Sequence, residues 1–225
     1  MEGLPSPARA RALFTAAPYT MTHARRARVL WDLCNKALRH GIPGCFVECG
    51  VWRGGSSAIM GMALRAANEN RPLHLFDSFE GLPEPTVDDG SLAIAYGGGR
   101  SSGALTPINQ CQANVEEVRR MLVQRATFPE SQLHFHIGWF QTTVPSATSS
   151  IGPIAVLRLD GDWYESTRIC LEHLYPLLSP GGFVILDDYF AWPGCRKATD
   201  EFRQRNRISS DLIRMDIDAA WWVKP

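Results

Sequence analysis

The sequence has no surplus of charge of either sign. Its 225 residues carry 23 Lys and Arg against 23 Asp and Glu, and the pI is near 7.0. A surface that grips a nucleic-acid backbone works through many unopposed cations. The chain as a whole is not built that way, and only a local patch such as Arg25, Arg26 and Arg28 offers such contacts. Long apolar runs are also missing. None approaches the ~20 residues that span a bilayer, and the opening "MEGLPSPARARALFTAAPYTM" holds no apolar stretch long enough for a signal peptide. The expectation is a cytoplasmic protein with neither a nucleic acid nor a membrane as partner. Cysteine is sparse and scattered, at 34, 45, 49, 111, 170 and 195, with no C-x-x-C pair. Such spacing reads as buried thiols in a reducing compartment rather than as a disulfide or zinc framework. No lysine follows the glycine loop at 50–55, and its spacing is not G-x-G-x-x-G, which disfavours ATP and NAD sites. Ser78 sits in no G-x-S-x-G elbow, which disfavours a hydrolase.

What the chain does have is core. Hydrophobic residues make up 45% of it, enough to exclude disorder and to fill one domain without staples. Residues 1–22, rich in Pro, Ala and Arg, read as a loosely packed N-terminal arm, and 23–225 as a single domain. Apolar periodicity predicts helices over about 23–40, 54–70, 110–126, 165–178 and 194–206. Short apolar runs predict strands over 45–50, 72–77, 132–138, 154–160, 181–188, 211–217 and 219–224. Between 83 and 106 the chain turns to Pro, Gly and Ser, which reads as a mobile lid. Near-continuous apolar strands alternating with helices describe an α/β doubly wound, mostly parallel seven-stranded sheet. The last two strands are too close together for a crossover, so they form an antiparallel C-terminal hairpin.

Ligands of such sheets bind at the carboxyl ends of the strands. Polar residues collect there: Glu48 in the first strand, Asp77 at the end of the second, Asp160 after the fourth, Asp187 and Asp188 after the fifth. Gly50, Gly54 and Gly55 let the backbone pass close to a ligand, and Ser56 or Ser57 could cap the helix that follows. Asp77, 29 residues beyond Glu48, is well placed to accept ribose hydroxyls. A nucleoside-bearing cofactor without a polyphosphate, such as S-adenosylmethionine, fits both features. Asp160, Asp187 and Asp188 end neighbouring strands ~4.8 Å apart. Three such charges repel unless a cation or a retained proton intervenes, and oxygen-only ligands suit Mg²⁺, with Ca²⁺ or Mn²⁺ as alternatives. Ordinary turn and cap residues are the competing reading for any one of them. Trp139 and Phe140 could stack an adenine or fill the core. His134 and His136 share one face of a strand, where two core or edge histidines outweigh two ligands.

Taken together, "YTM" (19–21), "VECGVWRGGSS" (47–57), "DSFEGLP" (77–83), "GWF" (138–140), "RLDGDWYEST" (158–167) and "GGFVILDDY" (181–189) resemble the macrocin O-methyltransferase family. Its members are metal-dependent enzymes that methylate sugar hydroxyls of antibiotic-like natural products. The resemblance implies a class I methyltransferase fold, S-adenosylmethionine as methyl donor, Mg²⁺ and a small glycosylated acceptor. It implies Asp160, Asp187 and Asp188 as metal ligands, with Asp160 also the catalytic base. As cofactor contacts it implies Thr20 and Met21, the turn Glu48, Cys49, Gly50, Val51 and Trp52, then Asp77, Ser78, Phe79 and Glu80, and lastly Gly138 and Trp139. Family members pair, so a homodimer is a further expectation, although no coiled-coil pattern accompanies it. The lid and the tail "DIDAAWWVKP" depart from the family's pattern. A metal-dependent methyltransferase of catechol-like phenolics and a non-catalytic S-adenosylmethionine-binding module are the competing functions.

Overall fold

A computed structural model describes residues 6–225 of the chain. Seven strands form one sheet: β1 (Cys45–Cys49), β2 (Leu73–Asp77), β3 (Leu133–Ile137), β4 (Ile154–Leu159), β5 (Leu178–Leu186), β6 (Ile213–Arg214) and β7 (Ala220–Val223). Their spatial order is β3-β2-β1-β4-β5-β7-β6. The first five run parallel, and β7 pairs antiparallel with both β5 and β6. Strand order reverses between β1 and β4, which opens a crevice at their carboxyl ends. β1, β2 and β4 are buried along their whole length. Phe46 packs into the apolar layer on one face and Val47 into the layer on the other.

The first layer is built from α1 (Pro7–Ala16), α2 (Ala24–Arg39) and α3 (Gly55–Ala66). The second is built from α6 (Phe140–Ile151), α7 (Tyr164–Leu174) and α8 (Pro193–Arg205). Between β2 and β3 lie α4 (Gly90–Tyr96) and α5 (Val115–Arg120), the latter continued by a π-helical turn over Met121–Arg125. The six cysteines are free thiols, five of them buried. Among the described residues no helix is long and apolar enough to cross a membrane.

The fold differs from the sequence expectations in four places. The arm is not loose between 7 and 16. Ser6 caps α1 through the Arg9 N–H, and Ala12 and Ala16 bury completely, because only methyl-sized side chains fit where α1 meets α3. α6 was not expected, since its Thr, Ser and Pro145 are poor helix formers. Burial of Val144, Ala147 and Ile151 against the sheet overrides that preference. The lid contains α4 and a capped turn over Val87–Asp89. Asp89 Oδ2 accepts from the Thr86 N–H (2.7 Å) and hydroxyl (2.9 Å), and Oδ1 from the Tyr164 N–H (2.5 Å). With the Trp163 indole donating to the Pro83 carbonyl (3.0 Å), these bonds stitch the lid to the start of α7. Finally, β6 is only two residues long and exposed.

Candidate active site at the strand crossover

The crevice between β1 and β4 closes into a cavity. It is lined by the turn after β1, the end of β2, the start of α6, the turn after β4 and the end of β5, with residues 20–22 and Arg26 on its rim. Gly50 makes the approach possible. Its φ is +90°, and a Cβ there would lie 1.8 Å from the Asp160 carbonyl oxygen. Gly55 does the same for the arm, since a Cβ would meet Thr20 Cβ at 2.6 Å. The cap of α3 is Gly54, in the left-handed region, rather than Ser56 or Ser57.

Asp77 organises the turn. Its Oδ2 accepts from the N–H groups of Val51 (2.7 Å) and Trp52 (2.9 Å), and its Oδ1 from Phe79 N–H (2.7 Å). Burial pushes this carboxyl up, and the three donors oppose the shift. The carboxylate expected to hold a ribose is thus first a brace for the loop, although it still faces the cavity.

Glu48 and Cys49 do not face it. Both are fully buried. Glu48 accepts from the Ser57 hydroxyl and from Arg158 Nη1 (2.8 Å). Burial raises its pKa to about 7, with Arg158 and Ser57 pulling the other way. Cys49 packs into the second apolar layer because strand alternation turns it away from Glu48. Phe79, with φ +58°, tilts onto Phe135 in the first layer. Phe79, Glu80 and Gly138 do not line the cavity, whereas Thr20, Met21, Gly50, Val51, Trp52, Ser78 and Trp139 do. Phe140 lines it beside Trp139. His134 and His136 lie on the edge strand β3, do not line the cavity, and stack with His74 of β2.

Two arginines absent from the expected site hold its acids in place. Arg158 Nη2 donates to Asp160 Oδ2 (2.9 Å) and Asp187 Oδ1 (2.6 Å). Arg26 Nη1 donates to Asp187 Oδ2, its Nε to Asp216 Oδ2 (2.8 Å), and its Nη2 to Asp218 Oδ2 (2.7 Å). A buried guanidinium survives only with partners of this kind. The lone arginine inside the apolar run "IAVLRLD" was the signal that could have revealed Arg158.

Asp160, Asp187 and Asp188 come together as the spacing suggested. Each offers one oxygen, all within 4.8 Å of one another. Burial and the neighbouring Asp187 push Asp160 up to about 6 against the pull of Arg158, and burial with adjacent carboxyl groups raises Asp188 as well. The arginines engage both oxygens of Asp187, while no ion pair reaches Asp188 among the described residues. A hard divalent cation fits this donor set in both charge and chemistry.

The model for the macrocin-O-methyltransferase (TylF) family matches residues 8–224. A tetracenomycin-C 4'-O-methyltransferase of Streptomyces olivaceus, acting on a 2,3-dimethoxy-α-L-rhamnosyl derivative by its name, is 41% identical over 206 residues, or 91% of this chain and 75% of that one. Demethyldecarbamoylnovobiocin O-methyltransferase of Streptomyces niveus is 37% identical over 92% of this chain and 76% of its own. The solved structure of the O-methyltransferase NovP superposes with a TM-score of 0.78 at 35% identity, covering 92% of this chain and 82% of that one. The sheet order, the strand-end site and this sustained identity have one consequence: the chain belongs to the macrocin-O-methyltransferase family and has its class I methyltransferase fold.

Proposed function

We propose that this O-methyltransferase moves a methyl group from S-adenosylmethionine to a sugar hydroxyl of a glycosylated natural product, with Mg²⁺ held by Asp160, Asp187 and Asp188. The observation that carries the reading is the convergence of three carboxylates on the same cavity as the Gly50–Trp52 turn. A cofactor site and a hard-cation site then share one wall. The name of the Streptomyces olivaceus relative, which specifies a rhamnosyl group, points to the acceptor class.

On the donor side, the Val51–Trp52 backbone and Ser78 border the space for a nucleoside, and Trp139 with Phe140 supplies an apolar flank. The amino end of α3 points its unpaired N–H groups toward the same space, where a carboxylate of the donor is favoured. Thr20 and Met21 close the rim. Transfer requires the acceptor oxygen on the line of the breaking bond, about 3 Å from the methyl carbon. A divalent cation bound at the three aspartates supplies Lewis acidity and a fixed direction for adjacent hydroxyls. Asp160, oriented by Arg158, takes the hydroxyl proton as the new C–O bond forms. Arg158 and Arg26 hold Asp187 in place through its two oxygens.

The test is Asp188→Asn. Calorimetry should show Mg²⁺ affinity falling at least ~10-fold and S-adenosylhomocysteine affinity preserved, and turnover should fall in parallel. Full activity of Asp188→Asn in the presence of a chelator would remove the cation from the mechanism.

A further inference from the structure

Asp162 lies in the turn between β4 and α7, two residues beyond Asp160, and no step above uses it. Its backbone is left-handed, with φ +56°. Its N–H donates to Asp188 Oδ2 at 3.3 Å, so the residue leans on the carboxylate cluster. Its own carboxylate does not belong to the three whose oxygens converge. Arg158 pairs with Glu48, Asp160 and Asp187, and among the described residues no ion pair includes Asp162. The residue lines the cavity, as Cys111 does, and the Trp192 indole is a hydrogen-bond partner beside it.

A turn that needs only a positive φ is met best by Gly, or by Asn. Aspartate here adds a fourth carboxyl group beside three others and carries strain as well, so the side chain itself must gain something. A half-buried carboxyl group without a cation has more acceptor sites than the one Trp192 indole can fill. Beside it, Trp192 packs on Tyr96 (5.6 Å between centroids) and on Trp163 (4.9 Å), in the apolar cluster beneath the lid.

We propose that Asp162 is a specificity-determining residue that accepts a hydrogen bond from a further hydroxyl of the acceptor, next to the pair presented to the metal. The enzyme therefore selects polyhydroxylated rings over simple diols. This rests on the sugar reading above.

The experiment compares methyl α-L-rhamnopyranoside, with three ring hydroxyls, and catechol, with two, at saturating S-adenosylmethionine and Mg²⁺. Asp162→Asn keeps the shape and tolerates the left-handed backbone without the charge. Asp162→Gly relieves the backbone and removes the side chain. For both, kcat/KM for the rhamnoside relative to catechol should fall about 10- to 100-fold, through KM, with S-adenosylhomocysteine affinity retained. A rhamnoside KM unchanged in both variants, or a KM rise equal for both probes, overturns the assignment alone. A wild-type enzyme that methylates catechol and leaves the rhamnoside untouched overturns the sugar reading and the assignment with it.

Discussion

At the scale of single residues, the site is held by charges that never meet a ligand. Glu48 illustrates this. Its place in an apolar strand reads naturally as a cofactor contact, yet it is sealed off and serves Arg158. Removing that guanidinium strands three acids, so Arg158→Met should destabilise the fold by about 3–5 kcal/mol in denaturant unfolding. Glu48→Gln, which keeps a hydrogen-bonding group of the same shape, should be milder. Gly50 has no such latitude. Gly50→Ala sets a methyl group against the Asp160 carbonyl, and its thermal midpoint should fall well below that of Arg158→Met if it folds at all. The three aspartates were legible because strand ends and adjacency fix where they point. Arg26 was not, because its partners Asp216 and Asp218 lie beyond the last helix, and nothing local in α2 announces them.

At the scale of elements, legibility tracked the strength of the apolar pattern. α2 and β1–β5 announce themselves through periodicity or unbroken apolar runs. α1 and α6 do not, since one relies on close-fitting alanines and the other on three apolar contacts that outweigh poor helix formers. The lid is the instructive case. Its glycines and serines suggested a loop without structure, but Asp89 anchors it in three directions. Asp89→Ala frees the Tyr164 N–H and both Thr86 donors, so stability should drop by about 1–3 kcal/mol. Limited proteolysis should then cut between 97 and 103 faster than in the wild type. Equal cleavage rates would show that other contacts hold this segment, such as Lys197 with Asp88 (2.5 Å).

At the scale of the whole molecule, two linked equilibria should show in stability. A cation bound only by the folded state raises the thermal midpoint as its concentration grows. The midpoint should therefore climb with added Mg²⁺, and the climb should vanish in Asp188→Asn. Protons act in the opposite sense through the histidine pair. Burial and the flanking His134 and His136 lower His74 to about 4 from 6.5, and His136 is lowered for the same reasons. Their Nδ1 and Nε2 lie 3.0 Å apart, so one proton serves both rings and a second is repelled. Between these values the unfolded chain binds more protons than the folded one. Stability is thus fully present above about pH 6.5 and declines as the pH falls toward 4. His74→Phe should flatten that decline in pH-dependent unfolding.

The grip of Arg26 on Asp216 joins residues 190 positions apart. While the polypeptide is still being made, the guanidinium on α2 lacks two of its three counter-charges, Asp216 and Asp218. The pocket consequently cannot mature until the final hairpin has left the ribosome and swung back across the finished sheet. A message truncated ahead of β6 would yield a protein with every acid of the reaction centre present but with Arg26 tethered by Asp187 alone.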